Sequence, residues 1–387
     1  MTSRSRPPVR ELVVLRGMAC LGVVLIHALS TTLVRAQPQS RFANALSVLQ
    51  MLLMFFTPVF VFLSAAVVGY AYDAPPPGFL RRRVRYVLVP FVVMGAIYGA
   101  VTTLTYLHVY DTPAAAASAL LQLTIRNLAG GNHLWFIIPI FQFYILYTVC
   151  GRWLTDAPPR VVLPSALLLN AAYLALVNFA GVDDAGQAAL GTVGSRHVWS
   201  LLFPGWLFYF AYGHWLGRSW YKHGVGRLPR LAWHGVVAAL AAGTMLYLHF
   251  GGMLAVRSSQ RVDVLLYTAA MMPLLLWVAG RVRWGTGVLV TISRFSFGIY
   301  ILHPFFIDVA RRVLRTVPAI ELRLNPLLLW VFATGGALAT AWLLSRVPAG
   351  SLLVGRPFQR SLAFEPADAA GRRAVLGIAG AEYPHLR

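Results

Sequence analysis

The chain has 387 residues, 58% of them hydrophobic and only 12% charged, with a formal net charge of +21. A soluble domain holds about 25% charged residues and has nowhere to bury uninterrupted apolar runs of roughly 20 residues, the length a helix needs to cross the bilayer core. The positive charge does not mark a nucleic-acid partner, because no basic stretch is interleaved with the exposed aromatics that base stacking needs. In a membrane protein, Lys and Arg collect instead in cytoplasmic loops and at lipid headgroups.

Ten spans are predicted, at about 12–33, 46–70, 86–107, 134–151, 161–180, 198–217, 231–250, 262–280, 294–311 and 326–346. The fold class is therefore all-α, a polytopic transmembrane bundle. Breakers separate the spans: Pro75-Pro76-Pro77-Gly78, Pro158-Pro159, Gly224-Val225-Gly226, and Asn325-Pro326 as a helix start. Residues 112–128 read as a surface helix between the third and fourth spans. Residues 1–349 form the membrane domain, and 350–387 a polar, Arg-rich, mobile cytoplasmic tail without apolar periodicity. Arg16 interrupts the first apolar run and many spans follow it, so that run is a span and not a cleaved leader. Cys20 and Cys150 both fall inside spans, which leaves a disulfide framework or a thiolate metal site without support. The histidines are scattered, so no metal site is expected.

With the N-terminus in the cytoplasm, the inner segments hold roughly twice as many Lys and Arg as the outer ones, which predicts both termini inside. One outer segment, with Arg311, Arg312, Arg315 and Arg323, runs against that bias.

Ionisable groups within a span are costly and mark function by default. The first span carries Arg16 and, eleven positions on, His27. At about 100° per residue the two lie roughly 20° apart around the helix, and at about 1.5 Å per residue they are roughly 16 Å apart along it. A cation near the inner surface and an imidazole beyond mid-membrane thus share one stripe. Such a stripe suits a long ligand with an anionic head and a reactive tip, as in acyl-CoA, and imidazole can accept a hydroxyl proton near neutral pH. A packed histidine and a snorkelling arginine would give the same letters. At the next inner segment, Arg81-Arg82-Arg83-Val84-Arg85 stands where a span begins. Guanidinium groups pair bidentately with phosphate, although such a cluster also serves as an ordinary positive-inside anchor.

The arginine followed by ten residues and a histidine, Arg16 to His27, resembles the signature of the bacterial membrane acyltransferase type 3 family. So do Arg83-Val84-Arg85-Tyr86…Pro90, His133-Leu134-Trp135-Phe136 and Ser296-Phe297-Gly298-Ile299-Tyr300-Ile301-Leu302-His303, in that order. The resemblance extends from residue 10 to about 346. It implies O-acylation of a cell-surface glycan or lipid-linked saccharide, with His27 as catalytic base and Arg16 as its partner or a coenzyme A contact. It further implies that some of Arg82, Arg83 and Arg85 hold the phosphates of acyl-CoA, acetyl-CoA above all, and that the protein lies in a bacterial plasma membrane. Many members carry an acid three residues before the motif arginine; here that position is Val13, and Glu11 lies on another face.

His303, His133 and Trp135 are candidates for acceptor contact, each with a structural role as the alternative. Gln142 and Asp308 stand out only because polar groups are scarce around them. Gly95-x-x-x-Gly99 and Gly213-x-x-x-Gly217 are expected to be close helix contacts. The competing reading is a secondary transporter or flippase for a glycan-related substrate, in which intramembrane His, Asp and Arg would line the path.

Overall fold

The computed structural model describes residues 9–179, 199–223, 231–314 and 325–355. The breaker at Gly224–Gly226, the tail beyond 355 and the start of the predicted sixth span lie outside the described residues. Every regular element among the described residues is helical. In chain order they are α1 (Arg10–Leu33), α2 (Arg41–Leu53), α3 (Phe56–Ala71), α4 (Phe79–Arg83), α5 (Val89–Thr105), α6 (Pro113–Leu128), α7 (Ile137–Asp156), α8 (Pro159–Phe179), α9 (Leu207–His223), α10 (Leu231–Phe250), α11 (Val262–Arg281), α12 (Thr286–Leu314), α13 (Pro326–Leu344) and the short α14 (Ser351–Val354). Nine helical stretches among the described residues are long and apolar enough to cross a membrane. Helix α9 has only 17 residues, but the 3₁₀ turn Phe203–Trp206 leads straight into it and completes a tenth. The architecture is the all-α polytopic bundle expected of the sequence.

Prolines account for the main departures from uninterrupted spans. The predicted span at 46–70 is two helices, α2 and α3, with a break at Met54–Phe55. Pro58, in the first turn of α3, cannot donate to the Met54 carbonyl, and its ring crowds that group. Ser40 starts α2 earlier than predicted by accepting from the Ala43 amide. Pro90 likewise cannot bond Tyr86, and the helix widens into a π turn over Val84–Leu88, where the Val89 amide reaches back to the Val84 carbonyl. The arginine segment is helical from Phe79, ahead of the start predicted for the third span. Asn325 caps α13 by accepting from the Leu327 and Leu328 amides, as the Asn-Pro pair suggests. Thr112 caps α6 in the same way at Ala115, where the surface helix was expected.

Lipid tails are as apolar as the helices, so close contact between small residues has to hold the bundle together. A Cβ on Gly213 or Gly217 would lie 2.2 and 2.0 Å from the Phe62 and Ala66 carbonyl oxygens, so α9 packs backbone-to-backbone on α3. Gly95 and Gly99 admit α6, whose Asn127 Nδ2 donates to the Gly95 carbonyl at 3.0 Å. Both glycine pairs are helix contacts, as their spacing predicted.

Helix α1 lies at the centre. It packs against α2, α3, α11, α12 and α13, and 78% of its most apolar stretch is buried, the highest share among the nine candidate spans. Its two sides join different cores. Val14 and Leu15 pack with α3, α9 and α11, while Cys20 and Val24 pack with α5, α12 and α13. Residues 350–355, where the expected tail begins, fold back so that α14 docks on α5 with Val354 fully buried.

Candidate functional site

Helices α1 and α12 run parallel and touch along their length. A Cβ on Gly17 would lie 2.3 Å from the Leu289 carbonyl oxygen. One turn on, Cys20 Sγ sits 3.8 Å from the Ser296 carbonyl. At the far end, the His27 and His303 rings are 4.9 Å apart between centroids. The register that begins at a glycine thus ends by pairing two histidines deep in the bundle.

A third histidine completes the group. His133 opens the 3₁₀ turn His133–Phe136 ahead of α7, and its ring lies 5.6 Å from that of His303. Its Nε2 is 3.1 Å from the Ile301 carbonyl, which also accepts from the Tyr98 hydroxyl at 2.8 Å. The Tyr300 hydroxyl donates to the His133 carbonyl. His303 Nδ1 is 3.1 Å from the Ile299 carbonyl one turn back. A carbonyl can only accept, so the bonded nitrogens carry the protons: Nδ1 in His303 and Nε2 in His133. In the neutral ring the other nitrogen of each is left with a lone pair. His303 is fully buried, and among the described residues its Nε2 has no hydrogen-bond partner. His27 is half-buried, its ring tilted against that of His303. Among the described residues, no set of three His, Cys, Asp or Glu side chains is placed to hold a metal ion.

Tyr98 and Tyr300 were not singled out from the sequence. For Tyr300 the signal was available, since it precedes His303 by three positions on one helical face. For Tyr98, on α5, there was none. Tyr98→Phe removes one of the two donors on the Ile301 carbonyl and is expected to cost about 0.5–1.5 kcal/mol. Thermal unfolding in detergent measures this, and His133 keeps the carbonyl bonded in the variant.

Trp135 does not join the histidines. Its ring lies 5.9 Å from Trp206 and 5.6 Å from Phe136, in the aromatic packing between α7 and α9. Gln142 is a latch, with Nε2 donating to the Leu201 carbonyl at 2.7 Å and Oε1 accepting from the Phe203 amide at 2.9 Å. Asp308 forms an exposed ion pair with Arg311 at 2.9 Å, one turn along α12.

At the other end of the stripe, Arg16 is buried, only 8% exposed, and the groups that bear on it electrostatically are Tyr144 and Arg83. Arg83 stacks over Phe79 and Tyr144, its guanidinium carbon 4.9 and 4.8 Å from the ring centroids. Arg82 and Arg85 are exposed. Arg82 Nη1 bonds back to the Pro77 carbonyl at 3.3 Å, and Arg85 lies 5.5 Å above the Tyr86 ring. The arginine segment therefore divides, with Arg83 turned inward over Phe79 and Tyr144 and its neighbours turned out. Val13 is buried, and Glu11 rests against Gly280 at the end of α11, so its carboxylate is directed to a neighbour other than Arg16.

A bundle of this kind is a polytopic membrane protein whose central helix carries a buried arginine and, some three turns on, a histidine. A sequence model described as an acyltransferase domain matches residues 9–346, and the chain belongs to that acyltransferase family. It is similar to the "Putative membrane-bound acyltransferase YfiQ" of Bacillus subtilis, with 31% identity over 376 residues, 94% of this chain and 99% of that one. It is also similar to the "Probable poly-beta-1,6-N-acetyl-D-glucosamine export protein" of Staphylococcus aureus, with 25% identity over 305 residues, 77% of this chain and 82% of that one. The Staphylococcus epidermidis protein of the same name is 26% identical over 310 residues, 77% of this chain and 81% of that one. No solved structure matches the chain. The protein is an integral membrane member of that acyltransferase family.

Proposed function

We propose that the protein transfers an acyl group, acetyl above all, from cytoplasmic acyl-CoA to a hydroxyl of a cell-surface glycan or lipid-linked saccharide, with His27 as general base. The observation that carries this reading is the placement of the His27 ring 4.9 Å from that of the buried His303, with His27 on the same helix as the buried Arg16. The name of the staphylococcal relatives, with a poly-N-acetylglucosamine as cargo, supports a glycan acceptor.

Arg16 and Arg83 are like charges bearing on one buried neighbourhood, an arrangement that an anion between them relieves. The pyrophosphate of coenzyme A supplies that anion at the cytoplasmic face, with both chain termini on the same side. From there the pantetheine arm runs inward for roughly 16 Å along the α1 stripe to bring its thioester to His27. His27 takes the proton of the acceptor hydroxyl as its oxygen attacks the thioester carbonyl. The carbon–sulfur bond then breaks, the leaving thiolate takes the proton from the imidazolium, and the new ester and free coenzyme A thiol separate. His303 holds His27 in position by packing ring against ring, and His133 shapes the acceptor side of the same group. Trp135, being turned to Trp206, serves the wall and not the acceptor.

Purified protein in nanodiscs, given acetyl-CoA labelled in the acetyl group and a panel of oligosaccharides, is expected to release coenzyme A and to ester-link the label to one of them. The same relatives' names raise the rival reading, glycan export. Movement of a glycan across proteoliposomes with no thioester consumed would establish that reading and remove the one proposed.

A further inference from the structure

We infer that the cavity between the Pro75–Pro77 segment and α7 seats a phosphomonoester, the 3′-phosphate of the coenzyme A donor, between Arg81 and Arg152. This rests on the donor reading above and adds a second anion subsite, with a residue on α7 that no motif singles out.

The cavity measures about 530 Å³, within the roughly 300–1,000 Å³ of small-ligand sites. Arg81 reaches it from α4 and Arg152 from α7, so two cations on different elements line one space, with Thr148 beside them. Arg82, the next residue, does not line it; it braces the segment's own backbone at Pro77.

Local structure holds the two walls in place. Three consecutive prolines restrict the segment before Gly78, which takes a left-handed conformation at φ 70° and turns the chain into α4. Gly151 lets the segment approach α7, since a Cβ there would lie 3.0 Å from Pro75 Cγ. The acid nearest in sequence, Asp73, is held elsewhere, bonded to Arg218 and to the Tyr221 hydroxyl at 2.6 Å. It does not line the cavity, and neither does any other acid among the described residues.

The chemistry of the donor assigns the two anion sites. In coenzyme A the pantetheine arm leaves from the pyrophosphate, while the 3′-phosphate hangs from the ribose at the opposite end. The inward-turned Arg83 and Arg16 lie on the path to His27 and take the pyrophosphate. Arg81 and Arg152, exposed and further out, take the dianionic monoester, to which each guanidinium can bond in bidentate fashion.

Comparing coenzyme A with 3′-dephospho-coenzyme A, each titrated against protein in nanodiscs, tests this. The wild type is expected to bind coenzyme A about 10- to 100-fold more tightly, the range a charge-assisted pair commands. Arg152→Gln should erase that preference while leaving 3′-dephospho-coenzyme A affinity unchanged, and Arg81→Gln should do the same. Arg83→Gln should weaken both ligands alike. If Arg152→Gln and Arg81→Gln weaken both ligands equally, or neither, the monoester site is wrong and the donor reading stands. If wild-type protein binds neither ligand, the donor reading fails and takes this inference with it.

Discussion

His27→Ala is expected to slow acyl transfer by about 10²–10⁴-fold, the usual worth of a positioned general base, equivalent to roughly 3–5 kcal/mol of transition-state stabilisation. The variant should still fold and still bind donor. Its neighbours do not hang on His27: His303 is bonded to the Ile299 carbonyl and His133 to the Ile301 carbonyl. The anion-bearing end of the stripe lies roughly 16 Å away along α1. Single-turnover release of coenzyme A, measured beside donor affinity and thermal unfolding, separates these contributions. A variant with full turnover would show that the base is another group.

Gly17→Val is expected to destabilise the bundle by about 1–3 kcal/mol and to lower turnover by about 10²-fold in the molecules that remain folded. A Cβ at Gly17 would stand 2.3 Å from a backbone oxygen of α12, and backbone, unlike a side-chain tip, has no rotamer to retreat into. The helices must separate, and this same contact sets the register that brings His27 to His303. A shift of about 1 Å at the reacting groups suffices for the rate effect. Gly243→Ala on α10 is the control, because nothing lies within 4 Å of a Cβ there, and helix propensity alone should leave stability equal or slightly raised. A Gly17→Val protein that melts and turns over like the wild type would remove the close contact between α1 and α12 from the account.

Much of the fold was legible because the bilayer permits few answers. It demands about 20 apolar residues per crossing, and the chain supplies them between breakers. What stayed hidden were local departures. Proline is tolerated within membrane helices, so Pro58, Pro90 and Pro304 carry no unambiguous mark. Only the structure separates the break before Pro58 and the π turn before Pro90 from the unbroken helix through Pro304. The candidate site divides along the same line. Arg16 and His27 could be put on one stripe because both lie on one helix, where the turn angle is fixed. Trp135 could not be parted from His133 in this way, because the 3₁₀ turn that separates their directions leaves no periodic signature.

By itself, then, the sequence determined an all-helical membrane protein with a cation and an imidazole at set heights on its first span, since those properties depend on hydrophobic length and helical pitch alone. Only the tertiary structure decided what meets them: His303 and His133 around His27, Arg83 and Tyr144 around Arg16, and Arg152 across a cavity from Arg81. Between helices in lipid, apolar pattern cannot choose partners, because every outward face is equally content with lipid tails. The choice falls to the close fit of small residues such as Gly17 against Leu289 and to hydrogen bonds such as Tyr98 to Ile301, which depend on register between distant parts of the chain.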